Sequence, residues 1–173
     1  MDGVRSEQQE IWLEIALNSN DPVERDRAGY QLTRGLSPQL VSQCIHSLGA
    51  QRDLTRRRAL RLLSQFPGKH ILEPLARALT DPAAPTHVRL GAARVLTMAS
   101  RKKNDAFTTA LEDPNPRIRR ACVTAATPLA ALRKATGDPD DEVAARAAQV
   151  ILRFNIDITD DELENAIKLR TNP

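Results

Sequence analysis

Apolar residues recur at three- and four-residue intervals along nearly all of this 173-residue chain, and no segment alternates convincingly at period two. That spacing puts the apolar side chains on one side of a helix and the polar ones on the other. It predicts helices throughout, arranged in five pairs. The first helices run near Ser6–Asn18, Ser37–Leu48, His70–Leu79, Asn104–Leu111 and Thr127–Ala135. The second run near Val23–Thr33, Leu54–Phe66, Thr86–Ala99, Pro116–Ala126 and Asp141–Arg153. A last helix, Thr159–Arg170, follows a short connector. Helix starts are marked in the sequence. Ser37-Pro38 and Thr127-Pro128 each offer a capping hydroxyl followed by a proline at the first helical position. Thr159 with Glu162 has the spacing of a capping box. The last helix carries Asp160, Asp161, Glu162 and Glu164 on one side and Leu163, Ile167 and Leu169 on the other. That suits an end helix that closes an exposed core with a polar outer face. Asp160, Asp161 and Glu164 could instead contact a basic partner, or the basic middle of a second copy of the chain.

The pairs share a phrase. An Asp-Pro turn is followed by a β-branched or small residue, an arginine, and a small residue three positions later. It reads Asp21-Pro22 with Arg25 and Ala28, Asp81-Pro82 with Val88-Arg89 and Ala92, and Asp113-Pro114 with Ile118-Arg119 and Cys122. A fainter copy is Thr55-Arg56 with Ala59. In Asp138-Pro139 with Val143 and Ala147, Ala144 replaces the arginine. The residues before the arginine slot (Glu24, Thr55, Val88, Ile118 and Val143) are 31, 33, 30 and 25 positions apart. A period of that size signals stacked helical hairpins.

These residues resemble the HEAT-repeat superfamily, above all the short bacterial repeats called PBS-lyase-like HEAT repeats. The likeness is carried by Leu79 to Pro82 with Val88 to Leu96, by Leu111 to Arg119, and by Asp138 to Val143. It is strongest from about His70 to Arg153. The resemblance implies an all-α fold, a right-handed α-solenoid of about five HEAT-like helix pairs with a C-terminal capping helix. A single domain would span 1–173, with repeats near 6–34, 37–66, 70–99, 103–126 and 127–153 and a cap at 159–170. The motif specifies the fold and not the chemistry, because such repeats serve adaptors, scaffolds and a few lyase or repair subunits.

Aromatic residues make up only 3% of the chain, so the core must be built from Ala, Leu, Val and Ile, which let helices approach closely. Net charge is +3 but unevenly spread: from Arg52 to Arg120 there are 15 basic and 6 acidic residues, a net of +9, leaving −6 for the rest. Cys44 and Cys122 lie on apolar helical faces in different repeats, as reduced core thiols do. No apolar run approaches the ~20 residues that cross a bilayer. The N-terminus leads into a polar stretch rather than a signal-peptide core, so the expected location is cytoplasmic and no membrane partner is expected.

Two sets of arginines stand out. Arg25, Arg56, Arg89 and Arg119 occupy the repeat's slot just past the start of the second helix, in its first turn. From there each guanidinium can reach a carboxylate of its own or a neighbouring turn: Asp21, Asp53, Asp81 or Asp113. These four are read as a structural ladder, with direct contact to a partner as the alternative. On the second helix of repeat two, Ala59, Leu62, Leu63 and Phe66 define the buried stripe, and Arg57 and Arg61 fall opposite it. The same construction exposes Arg94, Arg117 and Arg120. If the second helices line the concave wall, as the resemblance implies, these five form a basic stripe that Arg101, Lys102 and Lys103 could extend. An ordinary solvated face is the plain alternative.

Catalysis finds little support. His46, His70 and His87 lie in different repeats without partners at ligand spacing, so no metal and no cofactor is expected. There is no phosphate-binding glycine loop, no dinucleotide fingerprint and no nucleophile motif. The expected function is a non-enzymatic adaptor or scaffold that binds an acidic segment of a protein partner. One alternative is a lyase-like or maturation subunit holding a client protein. Another is sequence-independent binding of a nucleic-acid phosphate backbone, although stacking aromatics are lacking.

Overall fold

The computed structural model describes residues 2–33, 35–66, 69–99 and 103–154. Among them every regular element is helical, with ten α-helices and one 3₁₀ turn. The final helix expected at 159–170, with its capping box, lies outside the described residues, as do Arg101 and Lys102. The chain packs as two compact units, Met1–Ala99 and Ser100–Pro173.

The first unit holds α1 (Asp2–Asn18), α2 (Pro22–Leu32), α3 (Pro38–His46), α4 (Asp53–Ser64), α5 (Lys69–Thr80) and α6 (Thr86–Ala99), with the 3₁₀ turn Ser47–Gly49 after α3. They form three hairpins. First helices stack on first helices, α1 on α3 and α3 on α5, and α4 stacks on α6. This layered translation is how a helical repeat buries a face that no hairpin can bury alone. Small residues permit it. Ala28, Ala59, Ala92 and Ala93 are all buried, as are Leu32, Leu63, Leu75 and Leu96.

Glycines set the closest approach. A Cβ on Gly49 would stand 2.8 Å from Val88 Cγ2, and one on Gly91 would stand 3.1 Å from Leu48 Cβ. At each glycine the backbone thus lies directly against a side chain of the other element, Gly49 against Val88 and Gly91 against Leu48. Gly35, between the first two hairpins, has φ +141°, a conformation that side-chain-bearing residues avoid. Its carbonyl accepts a 2.7 Å bond from Gln9 Nε2, which ties that turn back to α1.

The second unit holds α7 (Asp105–Ala110), α8 (Pro116–Cys122), α9 (Leu129–Ala135) and α10 (Asp141–Arg153). α7 packs on α8, α8 on α10, and α9 on α10. Val123, Leu132, Val143, Ala147 and Ile151 form its core.

Of the two described helix starts where the sequence offered a capping hydroxyl, Ser37 caps its helix and Thr127 does not; Asp21 and Asn115 cap α2 and α8. Ser37 Oγ accepts from the Leu40 amide, Asp21 from that of Val23 and Asn115 from that of Arg117. Thr127 behaves differently. Instead of capping α9, its fully buried hydroxyl donates backward to the Cys122 carbonyl and accepts the Thr124 amide at 3.1 Å. The Thr127 hydroxyl thus closes the end of α8, and Val123 turns extended with ψ 91°. For that reason α8 stops at Cys122 rather than continuing to Ala126.

Substituting Gly49→Ala forces Val88 or its helix to shift. We expect a loss of about 1–3 kcal/mol, read from the urea midpoint at unchanged slope.

Candidate functional site

The repeating Asp-Pro phrase resolves into two local devices. The aspartate folds the turn: Asp21, Asp81, Asp113 and Asp138 each accept the amide two residues on, at 2.8–2.9 Å. These are Asx turns, which explains why Asp recurs before Pro. The arginine donates back to a main-chain carbonyl at or just beyond the end of the preceding helix. Arg25 Nη1 donates to the Ser19 carbonyl at 3.0 Å, Arg56 Nη1 to Ala50 at 2.8 Å and Arg119 Nη1 to Asp113 at 2.9 Å, each six residues back. Arg89 sits after a longer turn and its Nε reaches the Leu79 carbonyl at 2.9 Å in a buried setting. The acceptor common to all four is a main-chain carbonyl, where the sequence pointed to carboxylates. Carbonyls at a helix end or in the turn after it lack helical partners, so a guanidinium there satisfies a group that the helix cannot.

Arg56 and Arg119 also meet carboxylates. Arg56 Nη2 lies 3.1 Å from Asp53 Oδ1, within its own repeat. Arg119 makes the paired arrangement that links one repeat to the next, Nε and Nη2 each 2.8 Å from an oxygen of Asp138. Both side chains are nearly buried, at 12% and 7% exposure. The Arg119 hydrogen bond holds the Asp138 carboxyl below the usual carboxylate range, against the opposing effect of burial.

Arg58 and Arg146 were not singled out by the repeat, yet both reach back to an earlier element. Arg58 Nη1 donates to the Leu17 carbonyl at 2.8 Å, and Arg146 Nε to that of Val123 at 3.0 Å. Thr55 on α4 likewise bonds Asn18 Oδ1 at 3.1 Å. A repeat phrase identifies contacts made in every copy, and these bonds serve single layers.

The five arginines of the expected basic stripe are all on second helices and all exposed. The structure distributes them as follows. In the first unit, α4 and α6 border a groove of about 620 Å³. Arg57, Arg94 and His87 line its edges, and the half-buried Leu60, Leu90 and Gly91 line its floor. Arg57 Nε pairs with Asp53 Oδ2 at 2.7 Å, one helical turn earlier. Arg61 lies instead in a second groove, of about 330 Å³, between α2 and α4, together with Arg25 and Arg58. In the second unit Arg117 and Arg120 lie on α8, and Arg120 pairs with Glu142. A cleft of about 320 Å³ there is lined by Arg119, Asp138, Lys134 and Glu112, whose charges alternate in sign.

Other chemistry is muted. Cys44 and Cys122 are free and fully buried, and burial pushes the Cys44 thiol up to about 12, which keeps it protonated at neutral pH. Among the described residues, no three His, Cys, Asp or Glu side chains are placed to hold one metal ion. Among the same residues no helix is long and apolar enough to cross a membrane.

No protein-family model matches the sequence, and no curated protein does. Solved structures to which the chain is similar include two designed armadillo repeat proteins. One, determined in complex with the peptide (KR)4, shares 14% identity at a TM-score of 0.43, over 95% of this chain and 88% of its own. The other also shares 14% identity at a TM-score of 0.43, over 91% of this chain and 86% of its own.

Breaking the Arg119–Asp138 pair by Asp138→Asn strands a nearly buried guanidinium, and we expect it to cost about 3 kcal/mol at pH 7. The folded-state carboxyl lies below its unfolded value, near 3.9, so its contribution is complete above about pH 4 and disappears as pH falls through the folded value. Urea titrations between pH 7 and pH 2 check this: the Asn variant should lose less stability on acidification than the wild type.

Proposed function

We propose that the protein is a non-enzymatic adaptor of the HEAT-like repeat type, and that it docks an acidic segment of a protein partner on the surface of its second helices. One observation carries this reading: the α4/α6 groove combines an apolar floor with a basic rim. Leu60 and Leu90 offer aliphatic surface half withdrawn from water, flanked by the exposed guanidiniums of Arg57 and Arg94. An extended acidic segment can place alternate side chains on the floor and its carboxylates at the rim. Charge complementarity of this kind speeds encounter and rejects basic partners. The groove contains one carboxylate, Asp53, which the Arg57 bond holds against the helix. Arg61, and Arg117 and Arg120 of the second unit, are proposed as further contacts.

Arginine suits the task better than lysine here. Its planar fork binds a carboxylate through two parallel hydrogen bonds and gives up less water in doing so. Arg57 illustrates the exchange available to a partner. Its existing bond to Asp53 is an exposed pair within one helix, contributing only a few tenths of a kcal/mol, so an incoming carboxylate displaces little.

The test is a peptide selection against the whole protein, followed by titration of the best binder. Sequences rich in Asp and Glu with interspersed aliphatic residues should emerge. The double variant Arg57→Glu with Arg94→Glu should weaken that binder at least tenfold while shifting the thermal midpoint little. Selection of basic or neutral sequences, or unchanged binding by the double variant, would exclude this groove as the docking site. Equal retention of duplex DNA with a steep salt dependence would favour a phosphate backbone instead.

A further inference from the structure

The groove between α2 and α4 has a different chemistry from its neighbour. Three guanidiniums, those of Arg25, Arg58 and Arg61, line a space of about 330 Å³ together with Tyr30, Thr33 and Gln65, and Asp26 supplies the one carboxylate of the lining. Two of these arginines are fixed in place by main-chain carbonyls. Arg25 is held at Ser19 and Arg58 at Leu17, both at the C-terminal end of α1, which orients the two toward the same space. A carbonyl holds a guanidinium without cancelling its charge, unlike the carboxylates that meet Arg57, Arg119 and Arg120 elsewhere. The crowding is felt electrostatically. Burial, followed by the nearby charges of Arg25 and Arg52, pulls the Arg58 guanidinium below its ordinary value.

We propose that this groove is a binding site for a phosphate monoester dianion. Three positive groups against one carboxylate leave a net charge of +2, which a doubly ionised phosphate ester neutralises. A phosphodiester or a single carboxylate, with one negative charge, neutralises half of it. The arginine fork matches the spacing of phosphate oxygens, and guanidiniums already held by carbonyls lose little freedom on binding. Arg61 is exposed at the rim and completes the set from the outer side. The space is large enough for a phosphorylated side chain and remains open to solvent at Tyr30 and Thr33, both exposed. The site shares Arg61 with the contacts proposed for the acidic segment but uses neither Arg57 nor Arg94, so variants at those two residues distinguish it from the groove on the other side of α4.

Titration of the isotope-labelled protein by NMR, with a capped phosphoserine tripeptide and its unphosphorylated counterpart, tests the site. Amide shifts on α2 and α4 should appear with the phosphorylated peptide, with affinity at least tenfold above that of the serine peptide. Affinity should rise from pH 5 to pH 7.5, because a phosphate ester loses its second proton near about pH 6. Arg61→Gln should weaken binding at least fivefold, Asp26→Asn should strengthen it, and Arg57→Gln should leave it unchanged. Inorganic phosphate distinguishes the source of the ligand: a tighter phosphopeptide points to a chain-borne group, and equal affinity points to a free phosphate. The proposal is overturned if the two peptides bind alike, if affinity is flat with pH, or if Arg57→Gln weakens binding as much as Arg61→Gln.

Discussion

The bond from a guanidinium to a main-chain carbonyl at or just beyond the end of the preceding helix organises this protein. A helical hairpin brings the end of one helix beside the first turn of the next, and the last turn and the residues just after it carry carbonyls that no helix can satisfy. An arginine just inside the second helix is long enough to cross the gap. Arg25, Arg56 and Arg119 do so with the same six-residue reach, and Arg89 does so across a longer turn. The Asx turn made by the recurring aspartate sets the chain direction that allows it. Aspartate and arginine are thus two parts of one closure, although they need not touch each other.

A carbonyl acceptor has an electrostatic consequence. It restrains the side chain yet leaves the formal charge intact. Each arginine's second partner then determines what its charge does. Where a carboxylate is in reach, the charge is absorbed into the structure, as in the nearly buried Arg119–Asp138 pair that ties two repeats together. Where none is, the charge is displayed, as around Arg25 and Arg58. One motif therefore serves as a fastening in the second unit and as the back wall of a basic groove in the first.

Much of this was legible in the sequence. Apolar spacing located the ten described helices to within a few residues at nearly every boundary, because each buries a stripe that must recur at helical period. The buried positions Ala59, Leu62, Leu63 and Phe66 followed from the same periodicity, as did the exposure of Arg57 and Arg61. The exceptions have a common physical origin. Thr127 is chemically able to cap either flanking helix, and only the packing that buries it directs its hydroxyl back to Cys122. Arg58 and Arg146 find carbonyls 41 and 23 residues away, at distances along the chain that no local pattern encodes. The recurring aspartates were read only as acceptors for the arginines, whereas Asp21, Asp81, Asp113 and Asp138 each also fold their own turn by accepting a main-chain amide, and Asp138 does both.

α4 shows how a single helix divides its functions. At about 100° per residue, Asp53, Arg56, Arg57 and Leu60 cluster around one direction, and Arg58, Arg61, Leu62 and Gln65 around another roughly 130° away. The first group lines the groove toward α6 and the second the groove toward α2. Arg57 and Arg61 fall only about 40° apart on the helix circumference, so periodicity alone places them in one stripe. The neighbouring helices separate them, α6 drawing Arg57 into an apolar-floored groove and α2 drawing Arg61 into an arginine-lined one. In the resulting surface, adjacent positions on one helix face different chemistries, and the identity of a ligand depends on which side of α4 it enters.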